Sequence, residues 1–153
     1  MLKNGSFVFL ILILFSCSKE NSQTYITNIN GSWNKKQTQK IQFKIDDAQN
    51  PKNIIFVVRN NDDYPYSNLR LIVNFESPNK KSVTDTLNYI LAKPNGEWLG
   101  TGFGETKEIL FQYKMNYKLP ENGLYKISVK QAMRKDILPG IEDLGLKIEQ
   151  AKP

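Results

Sequence analysis

Ile54-Ile55-Phe56-Val57-Val58 and, after a polar break, Leu69-Arg70-Leu71-Ile72-Val73-Asn74-Phe75 decide the fold of this 153-residue chain. In the second stretch Leu69, Leu71, Val73 and Phe75 recur at every second position, which puts them on one face of an extended strand; a helix would space them by three and four. The first stretch is a continuous apolar run of strand length, expected at the centre of a sheet and covered on both sides.

The same period-two pattern continues outward from these two segments. Ile41, Phe43 and Ile45 alternate with Gln42 and Lys44, and further on come Leu87, Tyr89 and Leu91, then Ile109, Phe111 and Tyr113. Tyr125, Ile127 and Val129 alternate with lysine and serine, and Leu144, Leu146 and Ile148 close the series. Turn residues separate the runs: Asn50-Pro51, Asn60 to Asp63, Ser77-Pro78-Asn79, Pro94-Asn95-Gly96, Pro120 to Gly123 and Pro139-Gly140. Seven or eight short strands with no long helical pattern predict an all-β fold, an antiparallel β-sandwich, with a lipocalin-like barrel as the alternative closure.

The amino terminus has a different character. Lys3 precedes the apolar stretch Phe7 to Phe15, and Leu14-Phe15-Ser16-Cys17 sets a small residue before the chain's single cysteine, the pattern of a bacterial lipoprotein signal. As a helix, Phe7 to Phe15 would span about 14 Å, too short for a hydrocarbon core of ~30 Å. Residues 1–16 are therefore expected to be a cleaved signal, and Cys17 to become the first mature residue, carrying a thioether-linked diacylglycerol and an acylated amine. More than one acyl chain gives stable anchoring. Residues 17–30, polar and aperiodic, are expected to form the lipidated end and a flexible tether, and residues 31–153 a single β-sandwich domain. A lipidated Cys17 leaves no thiol for a disulfide.

The chain contains no histidine and carries a net charge of +6, of which Lys3 lies in the leader. Without histidine there is no Ser-His-Asp arrangement and no His-based zinc site. Export excludes nucleic acid as a partner, whatever the charge. Carboxylates such as Asp46, Asp47, Asp62, Asp63, Asp85, Glu97, Glu105, Glu142 and Asp143 could form a glycosidase-type pair. Most of them fall in turns, where Asp and Asn serve the backbone. Asn60-Asn61-Asp62-Asp63 lacks the glycine of a calcium loop and reads as a plain turn. Gly100-Thr101-Gly102-Phe103-Gly104 lacks both the spacing and the βαβ setting of a nucleotide loop. Neither a cofactor nor a small-molecule substrate is expected. The three glycines instead suggest a flat strip that a backbone or a ring can approach closely.

Candidate interaction residues are aromatic or interface-prone. Tyr64 and Tyr66 flank Pro65 just after the polar turn, where they would either be partly exposed, free to stack on a sugar or anchor a protein partner, or pack over a sandwich edge. Trp98 follows the Asn95-Gly96 hairpin turn and would either cover the glycine strip or join a recognition surface. Met133 and Arg134 end a strand and are residue types enriched at interfaces.

Taken together, Arg59 to Leu69, Asp85-Thr86-Leu87, Gly96-Glu97-Trp98-Leu99-Gly100-Thr101-Gly102, Gly123-Leu124-Tyr125 and Gln131-Ala132-Met133-Arg134 resemble the gliding-motility lipoprotein H family (GldH) of gliding Bacteroidetes. The leader with Cys17 and the closing Gly140 to Leu146 share the likeness, which spans almost the whole chain. Phe15 before Ser16, and Lys93 where an acidic residue is expected, depart from the pattern. The resemblance implies a membrane-anchored envelope lipoprotein of the gliding apparatus and the linked type IX secretion machinery, in the outer rather than the inner membrane. Its partners would be other gliding and secretion envelope proteins, and no catalytic residues are implied. A module that binds an envelope or surface polysaccharide through exposed aromatics is the alternative.

Overall fold

A computed structural model describes residues 22–102 and 104–152. The leader and Cys17 lie outside the described residues. Ten strands follow in order: β1 (Ser22–Asn28), β2 (Ser32–Asn34), β3 (Gln39–Ile45), β4 (Lys52–Asn60), β5 (Asn68–Glu76), β6 (Ser82–Ile90), β7 (Lys107–Tyr117), β8 (Gly123–Gln131), β9 (Ile137–Pro139) and β10 (Ile141–Gln150). They form two four-stranded sheets, β1-β10-β4-β7 and β3-β8-β5-β6, and the small ribbon β2-β9. All pairings are antiparallel. The sheets face each other as a sandwich and do not close into a barrel.

Each period-two run supplies its face to the space between the sheets. Leu69, Leu71 and Val73 of β5, and Tyr125, Ile127 and Val129 of β8, are fully buried there. Near one end the rings of Phe43, Tyr125 and Phe75 pack in near-parallel fashion, with centroids 5.6 Å apart for each pair that includes Tyr125. Offset stacks of this kind add to the area term. Along one side β6 meets β7 across the sandwich, Tyr89 stacking on Phe111 at 4.3 Å. On the other side β1 lies beside β3, with Tyr25 against Phe43.

β4 is the central strand that Ile54 to Val58 predict, flanked by β10 and β7. Ile54, Phe56 and Val58 enter the core, and Ile55 and Val57 on the other face are buried as well. Among the described residues no second layer covers that face; the cover comes from neighbouring strands. Ile26 of β1 leans over Gly145 toward Val57, and a Cβ on Gly145 would strike both Ile26 Cδ1 and the Tyr25 carbonyl.

One expectation is corrected: the tether does not run to residue 30. Ser22–Asn28 is paired along its whole length with β10, from Ser22 opposite Glu149 to Asn28 opposite Asp143, and Ile29 is buried. The segment is polar because it is an edge strand whose order comes from backbone pairing more than from an apolar face.

The long strands all run between two poles. At one lie Ser22, Ile45, Lys52, Glu76, Ser82, Gly123 and the end of β10; at the other lie Asn28, Asn60, Asn68, Ile90, Gln131 and the start of β10. The resemblance motifs of the connecting loops, 61–67, 91–102 and 132–136, therefore gather at the second pole.

Candidate functional site

The second pole is built on the turn after β4. The Asn61 side chain accepts the Asp63 amide (2.9 Å) and donates to Glu142 Oε1 (2.5 Å), while its own amide donates to the Gly140 carbonyl (2.9 Å). This is the plain Asx turn read from the sequence. The turn rests on Gly140, whose φ is +80° and at which a Cβ would collide with the Tyr64 backbone. Among the described residues, no group of three or more acidic, histidine or cysteine side chains could hold a metal ion.

Of the two readings for Tyr64, part exposure or packing, the structure has packing: the residue is only 3% exposed. Its hydroxyl donates to the Asn68 carbonyl (2.7 Å), and burial pushes its ionisation well above the ordinary phenol value. Its ring is capped by Tyr66, edge-on at 6.0 Å, and by Trp98 at 6.3 Å. Both capping rings are half-buried. Trp98 is held from a second direction, since its indole N–H donates to Asp62 Oδ1 at 2.8 Å. The hairpin that delivers it turns at Pro94-Asn95-Gly96, with Gly96 at φ +86° and the Lys93–Glu97 ion pair (2.9 Å) across its mouth. Lys93, the position that departs from the family pattern, thus supplies the cation of a local pair.

The glycine strip is filled by the chain itself. Thr101 exchanges two backbone hydrogen bonds with Glu108, and a Cβ on Gly100 or Gly102 would stand 2.9 Å from the Glu108 carbonyl oxygen or 2.6 Å from that of Thr106. The backbone that the strip admits is the start of β7.

Met133 and Arg134 come to the same pole from β8. Met133 is nearly buried and its Sδ accepts the Arg70 amide at 3.2 Å, while the buried Gln131 side chain accepts the Met133 amide and donates to the Lys135 carbonyl. Arg134 is exposed. Together with Tyr66, Asn68, Arg70 and Ala132 they line a shallow groove of about 290 Å³. Neither Arg70 nor Arg134 has an acidic partner among the described residues. So the five predicted residues share one pole: Tyr66, Met133 and Arg134 at the groove, Trp98 beside it, and Tyr64 as the buried prop beneath the rings. Sequence reading missed Asn68 and Arg70. They occupy the first turns of β5, where polar residues at strand positions carry no signal of their own.

Several of the carboxylates considered for catalysis have structural partners. Arg59 is held between Glu108 (2.8 Å) and Asp143 (3.2 Å) on the outer face of the first sheet. Asp85 accepts from the Tyr113 hydroxyl (2.7 Å) and from Lys114 (3.0 Å), and these bonds hold its carboxyl below the usual range. At the first pole Asp47 pairs with the nearly buried Lys52 at 2.7 Å, which lowers its pKa likewise.

The sequence profile of the GldH lipoprotein family matches residues 21–148. A relative named gliding motility lipoprotein GldH homolog, from Christiangramia forsetii, is 42% identical over 95% of this chain and 93% of its own length. The gliding motility lipoprotein GldH of Flavobacterium johnsoniae is 34% identical, covering 97% of this chain and 98% of its own. Among solved structures, the Yersinia pseudotuberculosis-derived mitogen superposes with a TM-score of 0.37 at 10% identity, over 88% of this chain and 89% of that one. With its profile match, its two near-full-length relatives and its sandwich fold, the chain belongs to the GldH lipoprotein family.

Proposed function

We propose that this gliding-motility lipoprotein is a non-catalytic component of the gliding apparatus and the linked type IX secretion machinery, lipidated at Cys17 and acting by protein contact at the pole that carries Tyr66, Trp98 and Arg134. Between Cys17 and Ser22 the chain can reach at most about 17 Å. The Ser22 pole therefore faces the bilayer, in our reading that of the outer membrane, and the aromatic pole faces away from it. The observation that carries the contact reading is the groove itself. Two arginines without acidic partners flank a half-open tyrosine and a methionine there, a residue set that suits a protein interface. In cells, crosslinking through a photoreactive residue at Tyr66 should capture an envelope protein, and Arg134→Ala with Arg70→Ala should remove that product. An unchanged product would refute the groove.

The half-exposed rings of Tyr66 and Trp98 also support a second reading, a polysaccharide-binding module. Glycan-array binding by the folded protein that is lost in Trp98→Ala would favour it. A blank array would exclude it.

A further inference from the structure

We infer that β6 is an open docking edge that accepts an extended segment of a different polypeptide as an added strand. This extends the protein-contact reading to a second surface, on the side of the sandwich.

The hairpin of β5 and β6 fixes which backbone groups are free. The Ser77 amide donates to the Lys81 carbonyl at one end, and the Leu91 amide donates to the Ser67 carbonyl at the other. The register between them is unbroken, with Phe75 opposite Val83, Val73 opposite Asp85, Leu71 opposite Leu87 and Leu69 opposite Tyr89. Bonded and non-bonded pairs alternate in an antiparallel ladder, so these odd-numbered residues turn their backbone groups toward β5. Ser82, Thr84, Thr86, Asn88 and Ile90 must then aim N–H and C=O away from it. β6 ends its sheet, and among the described residues no strand receives them.

Sheet edges are ordinarily blunted by lysine, proline or bulges. β3 carries Lys40 and Lys44, and β7 carries Lys107, Lys114 and two register shifts against β4. β1 lies against β3 at the end where the chain comes from Cys17. β6, Ser-Val-Thr-Asp-Thr-Leu-Asn-Tyr-Ile, has no lysine, proline or register shift; its one charge, Asp85, is engaged on the core side by Tyr113 and Lys114, and the rest of the strand is rich in strand-forming residues. Its core-side row is also unfinished. Leu69, Leu71 and Val73 on β5 are fully buried, but Val83 on β6 is 56% exposed, and Leu87 and Tyr89 are only half-covered. One more strand would continue the ladder and cover that row.

The occupant follows from the anchor. β6 runs from the Ser22 pole toward the aromatic pole, so a second copy joined through antiparallel β6 strands would point its lipid the opposite way, about the length of a nine-residue strand, ~30 Å, from the bilayer. A parallel self-pair about an axis along the strand would turn the second copy's core face outward and leave Val83 and Leu87 uncovered. A separate polypeptide meets neither obstacle. Its segment would be extended, with apolar side chains at alternate positions to cover Val83 and Leu87, and small or β-branched ones beside Thr84 and Thr86.

The test uses the full lipidated protein in vesicles of neutral phospholipid and a fluorescent nine-residue peptide of alternating threonine and valine, flanked by lysines for solubility. Saturable binding is expected, lost at least tenfold when alternate peptide amides are N-methylated. Thr86→Pro should also lose it at least tenfold while keeping the melting transition, because the Thr86 N–H takes no part in the pairing with β5. Tyr66→Ala with Arg134→Ala should bind the peptide as the parent does. Absence of binding, or loss in the pole variants but not in Thr86→Pro, would overturn the inference. So would disulfide-linked dimers of the anchored Thr86→Cys protein, which would make a second copy the occupant.

Discussion

The indole N–H of Trp98 donates to Asp62 Oδ1 at 2.8 Å and so ties the loop after β6 to the loop after β4. Trp98 sits over the Tyr64 ring, and the bond fixes the indole from a second direction. Replacing Trp98 with Phe keeps a smaller ring over Tyr64 and removes the donor together with part of the indole's apolar contact. The expected loss is at least about 1 kcal/mol in chemical denaturation, the hydrogen bond at a partly wet site supplying about that much. A larger effect on partner crosslinking than on stability would show that ring orientation is what the pole uses.

Tyr64→Phe tests the prop. The change leaves the Asn68 carbonyl without the hydroxyl that now donates to it, at a cost of about 1–2 kcal/mol for an unsatisfied, part-buried group. Urea titration measures it, and a neutral outcome would mean that water replaces the phenol.

Gly140→Ala should be among the most damaging single-methyl changes. The residue sits at φ +80° against the backbone of Tyr64, so strain and collision add, and a loss on the order of 3 kcal/mol is expected. Gly104 has a similar φ of +72° but open space at its Cβ position, and Gly104→Ala should cost only about 1 kcal/mol. Thermal melts of the two variants side by side separate collision from backbone preference.

Alkaline pH should weaken the contact between the sheets. Burial, and secondarily the charge of Asp85, push the Tyr89 phenol up to about 12 from 10.0. The unfolded chain releases that proton first, so the stabilisation is complete below pH 10 and fades as pH rises from 10 toward 12. Tyr89→Phe should flatten this part of a melting-temperature profile. A profile identical to the parent's would show that Tyr89 titrates normally.

Acid should act through Asp85. Its folded pKa is depressed by the Tyr113 hydroxyl first and by Lys114 next, so its contribution is present above the unfolded carboxylate pKa and is lost as pH falls through the folded value. Asp85→Asn should lower stability at neutral pH and reduce the slope of acid unfolding. An unchanged acid limb would assign that slope to other carboxylates.

Much of the fold was legible because alternation is a strong local signal where one strand face is buried. Ile41 to Ile45, Leu69 to Phe75 and Tyr125 to Val129 read as strands, and they are strands. β1 was hidden because Ser22–Asn28 earns its place through backbone pairing with β10, which leaves no trace in hydropathy. The three-residue strands β2 and β9 are too short to show a period, although Trp33 and Leu138 on them are fully buried. The glycines at 100 and 102 correctly announced a close approach, but sequence could not say that β7 makes it. Tyr64 and Tyr66 are two residues apart with the same chemistry, and only the packing of Trp98 and Gly140 decides that one lies beneath the other.

The pairing of β1 with β10 has a mechanical consequence. With the proposed anchor at Cys17, a pull between the membrane and the aromatic pole runs nearly along β1, and antiparallel hydrogen bonds stand across that direction. The load is shared in shear by the whole ladder from Ser22 to Asn28, where a pull across the strand would peel the bonds open one at a time. Traction entering the sheet at Ser22 therefore meets it in the orientation in which it yields last.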